Sequence, residues 1–124
     1  MEQIPLKKIT LGNWGERVAK NFLIRQGYGI LCTNYKTKLG ELDIVAKEEG
    51  MIVFVEVKTR SSRSFGLPQE AVNFKKQNKI MRMGLQYLQD HDLHETWRID
   101  VVAIVMNKNH NVENIDLIRN AVIR

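Results

Sequence analysis

Near the start of the chain, apolar residues recur every three or four positions. In a helix, residues with this spacing fall along one side, which then packs against the rest of the protein. The pattern predicts an amphipathic helix from about Leu11 to Gln26, and Gly27 is a typical residue for its C-terminal cap. The predicted buried stripe consists of Leu11, Trp14, Val18, Ala19, Phe22 and Leu23.

Three segments rich in β-branched and aromatic residues follow, and each predicts a strand. The strands run from about Tyr28 to Tyr35, from Glu41 to Lys47 and from Met51 to Thr59. The segment KTKLG separates the first two, and a turn at EEG joins the second to the third. The next segment, SSRSFGLP, is polar and contains glycine and proline, which predicts a loop.

The second half of the chain predicts one long helix, from about Gln69 to Gln89, and two further strands, WRIDVVAIVM and VENIDLI. Arg98 and Asp100 alternate on one face of the first of these strands, which predicts an ion pair. The order α-β-β-β-α-β-β predicts an α/β fold with a mixed sheet flanked by helices. No repeat or linker divides residues 1–124, so a single domain is expected. The predicted buried side of the long helix consists of Ile80, Met83, Gly84, Tyr87 and Leu88.

The hairpin formed by the second and third strands carries charged residues beside its apolar ones. A two-residue turn at the EG dipeptide places Asp43 opposite Glu56 and Glu41 opposite Lys58, with each pair on the same face. Two carboxylates then face each other where an apolar strand ends. The opposite face is wholly apolar and is expected in the core; it consists of Leu42, Ile44, Ala46, Val53, Val55 and Val57.

Two carboxylates on a partly buried face repel each other, and the repulsion must be relieved. A proton on one carboxyl, the ammonium of Lys58 or a divalent cation between the pair would each relieve it. Because Lys58 also faces Glu41, one lysine would serve three acids, and this deficit favours a hard cation such as Mg²⁺ or Mn²⁺. The structural alternative is a solvated hairpin end with ordinary surface ion pairs.

Charge and composition narrow the choice of partners. The chain of 124 residues has a formal net charge of +5, and its basic residues are dense between Lys58 and Arg82. This balance favours polyanions, nucleic acid above all. The sequence has no apolar run of membrane-spanning length and no secretion signal. With a single cysteine, Cys32, these features predict a cytoplasmic protein that has no membrane partner.

Six segments in a fixed order resemble a known family: GNWGERVAKNFLIRQGYGILCTNY, GELDIVA, VFVEVKTR, FGLPQEAV, KKQNKI and RIDVVAI. An acidic residue ending GELD, then a hairpin, then EVK resembles the PD-(D/E)xK nuclease superfamily, whose restriction-endonuclease-like core has the same order of elements. More closely, the chain resembles the bacterial YraN-like family, which is itself similar to archaeal Holliday junction resolvases.

The resemblance implies a role for each residue of the hairpin site. Asp43 and Glu56 would bind Mg²⁺ or Mn²⁺, helped by the carbonyl of Val57. Lys58 would orient the attacking water and stabilise charge on the phosphate. The proline of the PD motif is replaced by Leu42, while the carboxylate that performs the chemistry is kept.

Glu16 matches the acidic residue that related resolvases carry on the first helix, which makes it a further catalytic candidate. A structural alternative is a capping box in which Asn13 is the N-cap and Glu16 reaches back to it. On the second helix, Lys76 and Gln77 prolong the buried side, either toward a phosphate or simply along the surface. The residues assigned to nucleic-acid binding are Arg60, Arg63, Lys75, Lys76, Gln77 and Lys79.

The function expected from this resemblance is a Mg²⁺- or Mn²⁺-dependent endonuclease that hydrolyses phosphodiester bonds in DNA, for example in branched or recombining structures. DNA is favoured over RNA as the partner, and similarity to resolvases suggests a two-fold homodimer. The basic surface equally supports a module that binds nucleic acid without cutting it. A third interpretation is an interaction protein whose hairpin charges are purely structural.

Overall fold

The computed structural model describes residues 11–62 and 73–121. Within these ranges the order of elements is the predicted α-β-β-β-α-β-β. The two strands of the second half begin and end where the sequence places them, and the other bounds differ by a few residues. The elements are α1 (Leu11–Arg25), β1 (Gly29–Thr37), β2 (Gly40–Glu48), β3 (Met51–Ser61), α2 (Phe74–Asp90), β4 (Trp97–Met106) and β5 (Val112–Ile118).

The strands form one mixed sheet in the order β1-β2-β3-β4-β5. Neighbouring strands are antiparallel except for β3 and β4, which are parallel. The parallel pair follows from the connection, because α2 lies between β3 and β4 in the chain and a parallel pair needs such a crossover. The predicted α/β fold with a restriction-endonuclease-like core, a mixed sheet flanked by helices, is thus confirmed.

The core lies in two layers, one for each helix. In the first, which we call the α1-side core, Ala19 and Leu23 of α1 pack on Ile44, Val53 and Val55 of the sheet. The second, the α2-side core, forms on the other strand positions and includes all the apolar residues predicted to line α2. The α2-side core contains Leu42, Val45, Ile52, Phe54, Ile80, Met83, Tyr87, Leu88 and Ile99.

The turn between β2 and β3 has the predicted register. Glu49 and Gly50 both have positive φ, of 49° and 81°, which suits the two-residue turn of a hairpin. The paired positions run from Glu48–Met51 to Ile44–Val55 and end there. The predicted pairs of Asp43 with Glu56 and of Glu41 with Lys58 are therefore wrong as backbone partners, because β2 and β3 separate before reaching them.

Leu42 does not share a face with Ile44, as simple alternation predicts, but packs in the α2-side core. Asn34, in the neighbouring strand, has a φ of +53°. Tyr35 and its partner Leu42 both face the α2-side core. The strand pair therefore departs from simple alternation beside Asn34, and the predicted face of Leu42 is wrong.

Helix α2 begins later than the predicted Gln69. Asn73 is its N-cap, in extended conformation, and its side chain accepts a hydrogen bond from the backbone N–H of Lys76 at 2.8 Å. An extended N-cap excludes helix through residue 73, and positions 69–72 lie outside the described residues.

Gly84 sets the depth of packing, because a Cβ atom there would lie 2.4 Å from the Phe54 ring.

The predicted pair of Arg98 and Asp100 exists and belongs to a larger buried network. Asp100, which is 0% exposed, accepts hydrogen bonds from Arg98 at 2.9 Å and from the hydroxyl of Tyr28 at 2.7 Å. Arg98 also contacts Glu48 at 2.5 Å. This network ties β4 to β2 and to the end of α1.

No helix in the described ranges is long and apolar enough to cross a membrane.

Candidate metal centre

The point where β2 and β3 separate is occupied by the carboxylate of Asp43. Its Oδ2 accepts a hydrogen bond from the backbone N–H of Val57 at 2.8 Å. In a continuous ladder, this N–H would donate to a backbone carbonyl of the neighbouring strand. Here it donates to the Asp43 side chain, which gives the N–H the acceptor that a buried donor requires. The carboxylate is held at the edge of the gap, half-buried, and fixed relative to β3.

Glu56 lies on β3 beside this gap and is 9% exposed. Its Oε1 is 2.5 Å from Nζ of Lys76, so the first turn of α2 supplies a cation to the sheet. The sequence predicted that Lys76 points inward, and it does. The expected neutralising lysine was Lys58, however, and the structure has Lys76 in that place.

The pKa of Asp43 reflects its burial and the negative charges around it. Burial raises the pKa of Asp43 from 3.8 to about 7, and the nearby carboxylates of Glu56 and Glu16 add to the rise. The hydrogen bond from Val57 and the charge of Lys76 lower the pKa but do not offset the increase. Close carboxylates that share one cation cannot all ionise easily near neutral pH.

Glu16 reaches the site from α1. Its Oε1 accepts a hydrogen bond at 2.7 Å from Nδ2 of Asn34, the left-handed residue of β1. The capping-box alternative is wrong, because Asn13 lies inside α1 rather than at its N-cap. Helix and sheet approach closely here, since a Cβ atom at Gly15 would lie 1.8 Å from Oγ1 of Thr59. Gly15 therefore permits the position of Glu16.

Lys58 and Arg60 follow Glu56 at alternate positions of β3, so the three side chains share the α2 face of the sheet. This face assignment agrees with the packing of Val55 and Val57 against the opposite, α1-side core. No ion pair joins Lys58 to Glu41, although both residues are within the described part of the chain. Lys58 is thus half-buried on the face of the sheet that carries Glu56, without the predicted partner.

The predicted nucleic-acid contacts are spread along β3 and the start of α2. Lys75 is exposed and Gln77 is half-buried, both in the first turns of α2. Lys79 is exposed, and its Nζ would lie 3.3 Å from a Cβ atom at Gly40. Arg63, the second predicted loop contact, lies outside the described residues.

The donor atoms at this site suit a hard divalent cation. Among residues 11–62 and 73–121, no three side chains of Asp, Glu, His or Cys come together to hold one ion. Two carboxylates with a backbone carbonyl make up an oxygen set of the kind that Mg²⁺ accepts, since Mg²⁺ keeps waters or substrate oxygens as its other ligands. Burial and the neighbouring carboxylates raise the pKa of Asp43, and a bound cation would offset that rise.

Two contributors to the site were missed from the sequence. Asn34 fixes Glu16, and Gly15 allows α1 to approach β3. The NWGE segment carried a signal for Gly15, a glycine inside an amphipathic helix pattern, which usually has a packing reason. Asn34 had no comparable signal, because an asparagine among strand residues does not reveal a positive φ.

Comparison with known proteins places the chain in a family. The profile of the uncharacterised protein family UPF0102 matches residues 15–104, which include every described candidate for the metal site. The chain belongs to the UPF0102 family. A UPF0102 protein of Caldicellulosiruptor bescii is 49% identical over 113 residues, which cover 90% of this chain and 95% of that protein.

Two further UPF0102 proteins show that the similarity extends over most of the chain. That of Caldicellulosiruptor saccharolyticus is 46% identical over 117 residues, covering 94% of this chain and 99% of the relative. That of Clostridium botulinum strain 657 is 42% identical over 113 residues, covering 90% and 92%. The matched UPF0102 region thus contains the fold and the candidate metal centre together.

Proposed function

We propose that this UPF0102 protein is a divalent-metal-dependent endonuclease of the PD-(D/E)xK type that hydrolyses phosphodiester bonds in nucleic acid, with DNA as its substrate. One observation carries the proposal. The Asp43 carboxylate sits in the gap between β2 and β3, where burial and the charges of Glu56 and Glu16 raise its pKa to about 7. Such an arrangement costs stability unless a cation relieves it.

Asp43, Glu56 and the carbonyl of Val57 would hold Mg²⁺ or Mn²⁺. When bound, the ion would lower the pKa of a water molecule and offset the charge that builds on the phosphate. Val57 has a second part in this scheme, because its N–H holds the Asp43 carboxylate in place at 2.8 Å. Both carboxylates are thus fixed by groups of β3 or α2 before a metal arrives.

Lys58 and Glu16 would act on the water and the phosphate. Lys58, on the same face as Glu56, would donate hydrogen bonds to a phosphate oxygen and stabilise negative charge there. Glu16, oriented by Asn34, would accept a hydrogen bond from the attacking water. The water oxygen would form a bond to phosphorus as its proton passes to the Glu16 carboxylate, while the bond from phosphorus to one ester oxygen breaks and that oxygen takes up a proton from solvent.

The fold and the order of motifs support the assignment to the PD-(D/E)xK superfamily. The acidic residue of GELD lies on β2 and the EVK segment on β3, separated by the hairpin turn. Similarity to archaeal resolvases, together with a net charge of +5, supports branched DNA as a substrate and a two-fold dimer as the working form.

A cleavage panel tests the proposal. Labelled single strands, duplexes, flaps and four-way junctions are incubated with the purified protein and Mg²⁺ or Mn²⁺. We expect metal-dependent cleavage of at least one substrate. Asp43→Ala, Glu56→Ala and Lys58→Ala should each lower the rate by at least about a hundredfold, the scale of removing one electrostatic group from a site.

Asp116→Ala is the matched control, because this exposed acid lies on β5 and, within the described part of the chain, its side chain hydrogen-bonds only to Asn114. Circular dichroism confirms that each variant is folded. Full cleavage by all three site variants would overturn the proposal. So would the absence of metal-dependent cleavage of every substrate by the wild-type protein.

The second candidate is a module that binds nucleic acid without cutting it, which the exposed cations of α2 favour. Calorimetric titration with Mn²⁺ separates the two. Heat that disappears in Asp43→Ala supports the metal centre, whereas salt-sensitive DNA binding that is indifferent to metal supports the module.

A further inference from the structure

A groove runs between the turn that joins β1 to β2 and the exposed side of α2. Its volume is about 940 Å³, at the upper end of the range for small-ligand pockets, and it is open to solvent. Lys36 and Lys38 line it from the turn, and Arg82 lines it from the helix. The turn leads directly into β2, the strand that carries Asp43.

Cations on α2 connect the metal centre to this groove. Lys76, Lys79 and Arg82 are spaced three residues apart, so each step rises about 4.5 Å along the helix. Lys76 contacts Glu56 at 2.5 Å, and Lys79 lies over Gly40, at the start of β2. Arg82 continues the row into the groove. The three cations offer contacts for the phosphates of a single nucleic-acid strand.

Apolar side chains lie between these cations. Leu39, at the tip of the turn, is 39% exposed, and Leu85, facing it from α2, is 46% exposed. The outer surface of a duplex offers phosphates and sugars and keeps the faces of its bases stacked inside. Unpaired nucleotides expose those faces, and single-strand sites combine a cationic groove with side chains, usually aromatic, that cover the bases. Leu39 and Leu85 would cover them by apolar contact.

The acidic residue in the groove does not cancel its charge. Asp90 lines the far end and accepts hydrogen bonds from the hydroxyl of Tyr35 and from Nε2 of Gln86. Three cations, Lys36, Lys38 and Arg82, line the groove against this one carboxylate. The potential therefore favours a polyanion.

We propose that the groove binds an unpaired strand of nucleic acid next to the cleavage position, with its cations on the phosphates and its leucines on the bases. The inference rests on the proposed function for its placement beside a cleavage site. It adds the substrate class: nucleic acid with unpaired nucleotides on one side of the scissile phosphate.

Fluorescence anisotropy in EDTA tests the binding without cleavage. The probes are a labelled oligothymidylate and a duplex of equal length. We expect wild-type protein to bind the single strand more tightly. The double variant with Lys36→Ala and Lys38→Ala should show a shallower dependence on salt. The slope of log affinity against log salt concentration should decrease in magnitude by about 0.7 for each phosphate that the variant no longer neutralises. Leu39→Ser with Leu85→Ser should weaken single-strand binding at least about fivefold and leave duplex binding unchanged.

Lys20→Ala, an exposed lysine on α1, is the matched control and should bind as wild type does. The inference is overturned if the lysine pair behaves like Lys20→Ala, if the leucine pair changes nothing, or if wild-type protein binds duplex at least as well as single strand. Cleavage is scored separately: groove-dependent strand binding without any metal-dependent cleavage would keep this inference and end the nuclease proposal.

Discussion

Lys76 Nζ lies 2.5 Å from Glu56 Oε1, so that a lysine of α2 occupies the position from which a cation would neutralise the carboxylates of the sheet. The side chain of Lys76 is half-exposed, so this ion pair contributes only modestly to the free energy of folding. A metal ion that binds Glu56 must therefore compete with an ammonium group. If Glu56 and Lys76 formed only a surface ion pair, with no metal site, no such competition would be measured.

Removal of Lys76 should strengthen metal binding. In Lys76→Met the competing cation is absent, so the affinity for Mn²⁺ measured by calorimetry should rise about fivefold, equivalent to a partly exposed ion pair of roughly 1 kcal/mol. Lys75→Met is the matched control, since Lys75 is exposed on the same turn. Equal or weaker Mn²⁺ binding by Lys76→Met would show that the lysine and the metal do not share a site.

Stability should fall as pH rises in the absence of metal. The pKa of Asp43 is about 7 in the folded chain against 3.8 when unperturbed, so between these values the folded state holds more protons than the unfolded state. The free energy of unfolding then decreases with increasing pH. Asp43→Asn keeps an acceptor for Val57 N–H but carries no charge, and it should be more stable than wild type at pH 8, by on the order of 2 kcal/mol.

Urea unfolding in EDTA at pH 5 and at pH 8 measures this difference. Asp116→Asn, an exposed change on β5, should follow the wild-type curve. Mn²⁺ should stabilise wild type at pH 8 and leave Asp43→Asn unaffected, because binding to the folded state alone raises its stability. Parallel pH curves for wild type and Asp43→Asn would contradict the raised pKa.

The close approach of Gly15 to Thr59 should make position 15 intolerant of any side chain. A Cβ atom there would lie 1.8 Å from Oγ1 of Thr59, so Gly15→Ala should force α1 away from β3. We expect a decrease of about 1–3 kcal/mol in the free energy of unfolding, typical of an overpacked interface. Thr59→Ala in the same chain should recover part of it. Lys20→Ala on the exposed side of α1 should cost little, and equal effects at both positions would refute the packing argument.

Asp100 should matter for stability and not for metal binding. Its carboxylate accepts hydrogen bonds from Tyr28, Arg98 and the backbone of Asn120. Asp100→Asn removes the charge that Arg98 faces at 2.9 Å while its contact with Glu48 stays, at a cost of about 1–3 kcal/mol. Denaturant unfolding measures this cost, with Asp116→Asn as the exposed control. Unchanged stability would mean that the network contributes nothing, and altered Mn²⁺ affinity would mean that it reaches the metal centre.

The helices and strands, and the part of the site on β3, could be predicted from the sequence because both depend on local patterns. Apolar runs bounded by polar turns place β4 and β5, and the EG dipeptide sets the register up to Ile44–Val55. The shared face of Glu56 and Lys58 follows from strand periodicity alone. These features need no knowledge of how the helices dock.

The remaining features depend on tertiary contacts. The lysine that meets Glu56 is determined by the rotation and depth of α2, which the packing of Gly84 on Phe54 fixes. The face to which Leu42 turns departs from alternation beside Asn34, whose positive φ lies in the neighbouring strand. Neither can be read from a period of two or of 3.6 residues, since both arise where separate segments meet.

The hydrogen bond from Val57 N–H to the Asp43 carboxylate gives the protein an internal spectroscopic probe. An amide proton bonded to a carboxylate resonates at a frequency that depends on the charge of its acceptor. In a nitrogen–proton correlation spectrum, the Val57 peak should therefore move when Asp43 gains a proton and again when an ion binds its oxygens. A single backbone signal would then follow the occupancy of the centre, with no label attached and no substrate present.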